Sequence, residues 1–128
     1  LWFVDFFSGR VYASDLAGVD GIVATVPGVP GGLGFLPDGT PLVVSQREFA
    51  ADSIGPGGRL AKHADLAAHA RGAANDMLVD RQGRAYVGHH GFDFFGGAAP
   101  QPASLLLVGT DGRVRVVAED LVFPNGMA

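Results

Sequence analysis

An all-β fold of repeated, four-stranded units is what this sequence predicts, and three observations carry the prediction. Short apolar runs of strand length recur along the 128 residues, separated by Gly, Pro and Asp turn signals. The openings Gly31-Gly32-Leu33, Asn75-Asp76-Met77 and Asn125-Gly126-Met127 align at steps of 44 and 50 residues. The first two openings each run through an apolar strand to a turn glycine, Gly39 or Gly83, and on to a second strand. Four short strands per unit of roughly 40–50 residues is the arithmetic of a β-propeller blade. The chain holds about two to three such units, against about four to eight in a complete propeller.

The elements follow in order. Leu1 to Val4 reads as a strand, Ser8-Gly9-Arg10 as a turn and Val11 to Ala13 as its partner. Leu1-Trp2-Phe3-Val4 fits the slot of a second strand, 41 residues before Leu42. Ile22 to Val26 is the next strand, and the run from Pro27 to Gly32 breaks the chain. Leu33 to Leu36 and Pro41 to Ser45 flank the turn Pro37-Asp38-Gly39-Thr40. Gln46 to Gly58, polar and glycine-rich, reads as a loop, and Arg59 to His63 as a strand. Ala64 to Ala74 has helical propensity, but closely bounding strands make it a linker with at most one helical turn.

Met77 to Val79 and Ala85 to Val87 form the central hairpin, closed by Gly83. Gly91 to Pro102 is a long loop carrying Phe92, Phe94 and Phe95. Ser104 to Val108 is an apolar strand, Asp111-Gly112 a turn, and Arg113 to Ala118 an alternating strand. Gly9-Arg10, Gly58-Arg59 and Gly112-Arg113 read as a recurring second hairpin within the units.

Composition narrows the function classes. Hydrophobic residues make up 48% and charged residues 17%, as in a globular chain of one ordinary domain. A net charge of −4, with 9 Lys+Arg against 13 Asp+Glu, offers no basic footprint for nucleic acid. No apolar run approaches the roughly 18 residues that span a membrane, and the N-terminal residues lack a signal-peptide pattern. The absence of cysteine excludes disulfides and thiolate sites and fits a reducing, cytoplasmic location. The chain starts inside a strand pattern and stops at what looks like the opening of another. Residues 1–128 are therefore expected to be a fragment of a single propeller domain.

In a propeller the first strand of each blade lines the central channel, so residues opening it converge on one mouth. Gly31-Gly32 offers no side chain there, whereas the next two openings bring Asn75 and Asn125. Two amide oxygens with a nearby carboxylate begin a hard-cation site. Asn-Asp and Pro-Asn-Gly are equally ordinary turn sequences in which the side chain bonds the backbone. Spacing alone does not separate the two.

The segment from Asn75 to Gly88, and then Asp120-Leu121-Val122-Phe123-Pro124-Asn125-Gly126-Met127-Ala128, resemble the SMP-30/gluconolactonase/LRE-like family. Leu1-Trp2-Phe3-Val4-Asp5 with Gly9-Arg10-Val11-Tyr12 resembles that family's first blade. The resemblance implies a six-bladed propeller and one divalent metal on its axis, calcium foremost, with zinc, manganese or magnesium as alternatives. It implies hydrolysis of a small-molecule sugar lactone or related ester. Asn125 matches a metal-ligand asparagine, and Asn75 matches one facing substrate and metal. The family's glutamate ligand and general-base aspartate fall outside residues 1–128, so the catalytic residue is unassigned. An arginine that holds substrate in some members is replaced by Ala73, and Arg71 is offset from it.

The remaining candidates carry two readings each. His89 and His90 follow the central hairpin, where one should point inward as a substrate-binding or proton-shuttling group or pack as a loop histidine against Phe92. Asp93 reaches the pocket rim as a substrate-binding residue or caps a turn. Asp76 reads as a structural acceptor or a second ligand, and His63 and His69 as surface residues. Phe92, Phe94 and Phe95 read as packing over a blade edge or as a lid, while Arg47 and Glu48, in a loop near the mouth, are loop residues or secondary candidates for touching substrate. A blade repeat does not by itself imply chemistry. The alternative is a non-catalytic binding module in which the two asparagines hold a structural metal.

Overall fold

The computed structural model describes residues 1–15, 17–18 and 20–128. Strands β1 (Trp2–Asp5), β2 (Arg10–Ser14) and β3 (Asp20–Thr25) form one antiparallel sheet. Strands β4 (Pro30–Phe35), β5 (Pro41–Ser45), β6 (Ala50–Ile54) and β7 (Leu60–Asp65) form a second, joined in sequence order. Strands β8 (Ala74–Val79), β9 (Ala85–His89), β10 (Ala103–Val108) and β11 (Val114–Leu121) form the third in the same way. Two complete blades and a three-stranded one stand side by side, as the sequence repeat requires.

Packing explains why Leu42-Val43-Val44 is an unbroken apolar run. A strand buried on both faces has no polar side to alternate with. Leu42 and Val44 face the third sheet, in a core with Leu66, Met77, Val87, Leu106 and Val108. Val43 faces the first sheet, with Val11, Val26 and Ile54. All three are 0% exposed, each such burial contributing about 1.5–3 kcal/mol.

The innermost strands approach backbone to backbone, which fixes the glycines of β4. A methyl group at Gly31 would lie 2.5 Å from the Asn75 carbonyl oxygen, and one at Gly32 would run into the Met77 amide. Pro30–Leu33 in β4 and Ala74–Met77 in β8 carry matching register shifts. The aligned pairs Gly31-Gly32 and Asn75-Asp76 are therefore the same bulge in successive blades. Both pairs lie within their strands, so β4 and β8 begin earlier than Leu33 and Met77.

Four expectations need correction. Gln46 to Gly58 is not one loop: residues 46–49 make a tight turn, β6 follows, and a short 3₁₀ turn spans Pro56–Gly58. The strand was hidden because Ala50, Ala51, Asp52 and Ser53 have low β-propensity. Ala50 and Ala51 are small because they are almost wholly buried, and Asp52 accepts a hydrogen bond from Ser45 Oγ. The second correction concerns the Gly-Arg repeat. Gly58-Arg59 and Gly112-Arg113 lead into β7 and β11, the outermost strands, whereas Gly9-Arg10 joins β1 to β2. Gly58, at φ +75°, lies on Val23 of β3, and Gly112, at φ +76°, lies on His63 of β7. That shared contact puts β3 in the slot of β7 and β1 in the slot of β5. His63, third, is half-buried, with Nε2 enclosed and no hydrogen-bond partner among the described residues. Fourth, residues 124–128 form no strand. The expected linker holds a single turn, closed by hydrogen bonds from the amides of His69 and Ala70 to the Leu66 carbonyl.

Candidate functional site at the channel mouth

Antiparallel pairing sets which loops meet. The start of β4 pairs with the end of β5 (Pro30 with Ser45), and the start of β8 pairs with the end of β9 (Ala74 with His89). The loops after β5 and β9 therefore stand at the end where β4 and β8 open.

At this mouth Asn75 and Asn125, 50 residues apart, meet directly: Asn75 Nδ2 donates to Asn125 Oδ1 at 3.0 Å. Beside them the Gly126 amide donates to Asp76 Oδ2 at 2.6 Å. Asn75 and Asp76 sit at the bulge of β8, which turns two successive side chains out of regular alternation. Phe123 at φ +50° and Gly126 at φ +69° bend the segment after β11 back toward the axis.

The donor set matches a hard cation in kind. An amide oxygen has two lone pairs, so Asn125 Oδ1 keeps one beside its hydrogen bond. Among the described residues nothing donates to Asn75 Oδ1. Gln46, 2% exposed, packs on Gly31 near the Asn75 carbonyl, and its Oε1 has no partner among the described residues. Hard cations take about six to eight oxygens, so these amides would fill only part of such a shell. Among the described residues no three His, Asp or Glu side chains are grouped for a metal.

Both histidines lie inside, His89 at 1% and His90 at 3% exposure. His89 Nδ1 accepts the Gly91 amide at 3.0 Å, and Nε2 accepts the Ser104 amide at 3.1 Å and lies 2.9 Å from Ser104 Oγ. Burial, and then the neighbouring His90 and Arg71, hold its pKa below the ordinary imidazole value. Burial lowers His90 in the same direction. The His90 ring stacks on Phe123 at 4.5 Å and meets Phe94 at 5.0 Å. The partner anticipated for it was Phe92. His89 also borders a cavity of about 230 Å³ with His69, Arg71, Ser104 and Glu119.

Asp93 folds onto its own loop, with Oδ1 accepting the Gly96 amide at 2.9 Å, and it borders a second cavity. Phe95 packs between Phe94 and Phe6, so the phenylalanine loop reaches across the mouth to the first sheet. Arg47 lies with its guanidinium 4.5 Å above the Phe95 ring. Neither the Phe123–His90 stack nor the Arg47–Phe95 contact was anticipated from the sequence. The signal was their common position at blade ends facing one mouth, which becomes visible only once the strands are counted correctly.

A propeller segment with paired amides at the channel mouth, framed by aromatic rings, defines the class. The family model of the SMP-30/gluconolactonase/LRE-like region matches residues 1–128, and the chain belongs to that family. A gluconolactonase from Xanthomonas campestris, described as important in glucose secondary metabolic pathways, superposes with a TM-score of 0.78 at 19% identity. The match covers 98% of this chain and 45% of that one. A structural-genomics target with a proposed gluconolactonase function gives a TM-score of 0.75 at 18% identity, covering 98% and 46%. At such identities the likeness is one of fold, and the chain spans about half the length of either structure. No curated protein matches the chain.

Proposed function

We propose that the whole protein is a divalent-metal-dependent hydrolase of the gluconolactonase type, opening a sugar lactone or related ester. The observation that carries this reading is the meeting of Asn75 and Asn125 at the mouth, where Asn75 Nδ2 donates to Asn125 Oδ1 and that oxygen keeps a second lone pair. Membership of the family supports it. The cation proposed there is calcium first, with zinc, manganese or magnesium as alternatives that oxygen ligands also accept.

Asn125 and Asn75 would hold the cation, which when bound supplies Lewis-acid polarisation of the scissile carbonyl. Asp76 keeps Asn125 in place by accepting the amide of the next residue, Gly126. The buried His90 ring stacks on the half-buried Phe123, two residues before Asn125, and gives the site an aromatic flank. His89 is hydrogen-bonded through both ring nitrogens to Gly91 and Ser104, so it orients the β9–β10 loop. A substrate-binding role for His89 or Asp93 would require each to release a contact inside that loop. The general base is assigned to no residue of 1–128.

The test is hydrolysis of sugar lactones and aryl esters by the full-length protein, with and without EDTA, and with each metal restored. Activity lost on chelation and regained with one ion is the expected result. Silence across the panel, with metal raising only thermal stability, would instead make this a binding module with a structural metal.

A further inference from the structure

A cavity of about 260 Å³ opens at the mouth, and its walls include Arg47, Arg71, Ala73, Asp93 and Phe95. Ala73 is two residues before Asn75, so the cavity adjoins the asparagine pair in the chain. Both arginines are exposed. Among the described residues neither has an ion-pair partner, whereas Lys62, Arg84 and Arg113 each have one. The carboxylate of Asp93 borders the same space, but one oxygen is committed to the Gly96 amide. The lining thus includes two arginines and one partly engaged carboxylate, and Arg71 also borders the neighbouring cavity that holds Glu119 and Asp120.

Arg47 is held by stacking. Its Cζ lies 4.5 Å from the Phe95 ring centroid, and Phe95 is backed by Phe94 and Phe6. A guanidinium fixed by its face keeps its N–H donors at the edge, in the fork that matches a carboxylate. Phe95 and Phe49 supply apolar wall for a flat group beside that charge. Neutral sugar hydroxyls, which need acceptors as well as donors, find few here.

We propose that this cavity is a carboxylate subsite, and that the favoured substrates are lactones or esters bearing a carboxylate on a planar or apolar portion. The substrate assignment rests on the hydrolase reading above, whereas the anion site stands on the cavity itself.

The decisive test is calorimetric titration of the full-length protein with benzoate, benzamide and inorganic phosphate at low salt. Benzoate is expected to bind about tenfold or more tighter than benzamide, and tighter than phosphate. Arg47→Ala and Arg71→Ala should each weaken benzoate about tenfold, and Arg47→Lys should not restore it fully. Equal binding of benzoate and benzamide, phosphate binding as tightly as benzoate, or unchanged binding in both alanine variants would overturn the proposal. A parallel assay compares kcat/KM for a carboxylate-bearing lactone and its methyl ester, a ratio the same variants should lower. Hydrolysis of a neutral lactone without benzoate discrimination would sink the subsite and leave the hydrolase reading intact. Benzoate discrimination without any hydrolysis would do the reverse.

Discussion

At the scale of single residues, one position in successive blades is used in two ways. In β4 the bulge holds Gly31-Gly32, because the Asn75 carbonyl and the Met77 amide occupy the space a side chain would need. In β8 the same bulge holds Asn75-Asp76, which deliver the polar atoms of the mouth. Gly32→Ala is therefore expected to destabilise the protein by about 1–3 kcal/mol or more through overpacking. Gly21→Ala, whose new methyl group would lie 4.0 Å from the Ala13 carbonyl oxygen, should cost less. Urea denaturation of the two variants checks the ranking. The buried histidines make a second residue-scale prediction. Burial lowers the pKa of both His89 and His90. Below the unfolded value of about 6.5 the unfolded chain then binds more protons than the folded one, so stability is complete above that pH and falls as pH drops through the window. The melting temperature should fall between about pH 7.5 and about pH 5.5. In His89→Gln, which loses about 1–3 kcal/mol at the higher pH, the fall should be shallower. An equal slope in both proteins would contradict the assignment. The asparagines were legible in the sequence because they stand at aligned positions. The burial of both histidines was not, since it depends on Phe123, Phe94 and Ser104 closing over the end of β9.

At the scale of elements, one turn device repeats. Asp38, Asp80 and Asp111 each accept a backbone amide two residues on, from Thr40, Gln82 and Arg113. These Asx turns are readable in sequence because Asp with a Gly one to three residues on has a local turn mechanism. Asp80 goes further, accepting the Arg84 amide at 3.0 Å and Arg84 Nε at 2.6 Å. Asp80→Ala should cost about 1 kcal/mol or somewhat more. Because this hairpin turn is at the end of β8 away from the mouth, metal affinity and hydrolysis should be unchanged, which thermal melting and the lactone assay together check. Strand β6 shows where local reading fails. Its inward residues Ala50 and Ala51 are selected for smallness by the sheets on either side, and neither carries the branched or aromatic signal of a strand. Only pairing with β5 and β7 reveals it. Ser45→Ala would strand the buried Asp52 acceptor and is expected to cost about 1–3 kcal/mol. A loss below a few tenths would mean that β6 is not held this way.

At the scale of the molecule, the propeller architecture was legible because a period of 44 and 50 residues survives low similarity between blades. The mouth was less so. It draws on Phe6 of the first sheet, Arg47 of the second and Phe95 of the third, residues brought together only by radial packing. Asn75 and Asn125 likewise belong to different segments, and their hydrogen bond links β8 to the chain beyond β11. As proposed, Asn75 and Asn125 are the share of residues 1–128 in a divalent-cation site. Calorimetric titration of the full-length protein with Ca²⁺, followed by the other divalent ions, in wild type, Asn125→Ala and Asn75→Ala, tests it most directly. One bound ion per protein in wild type, weakened at least about tenfold in Asn125→Ala with the fold intact, is the predicted result. Unchanged affinity in both variants would contradict it.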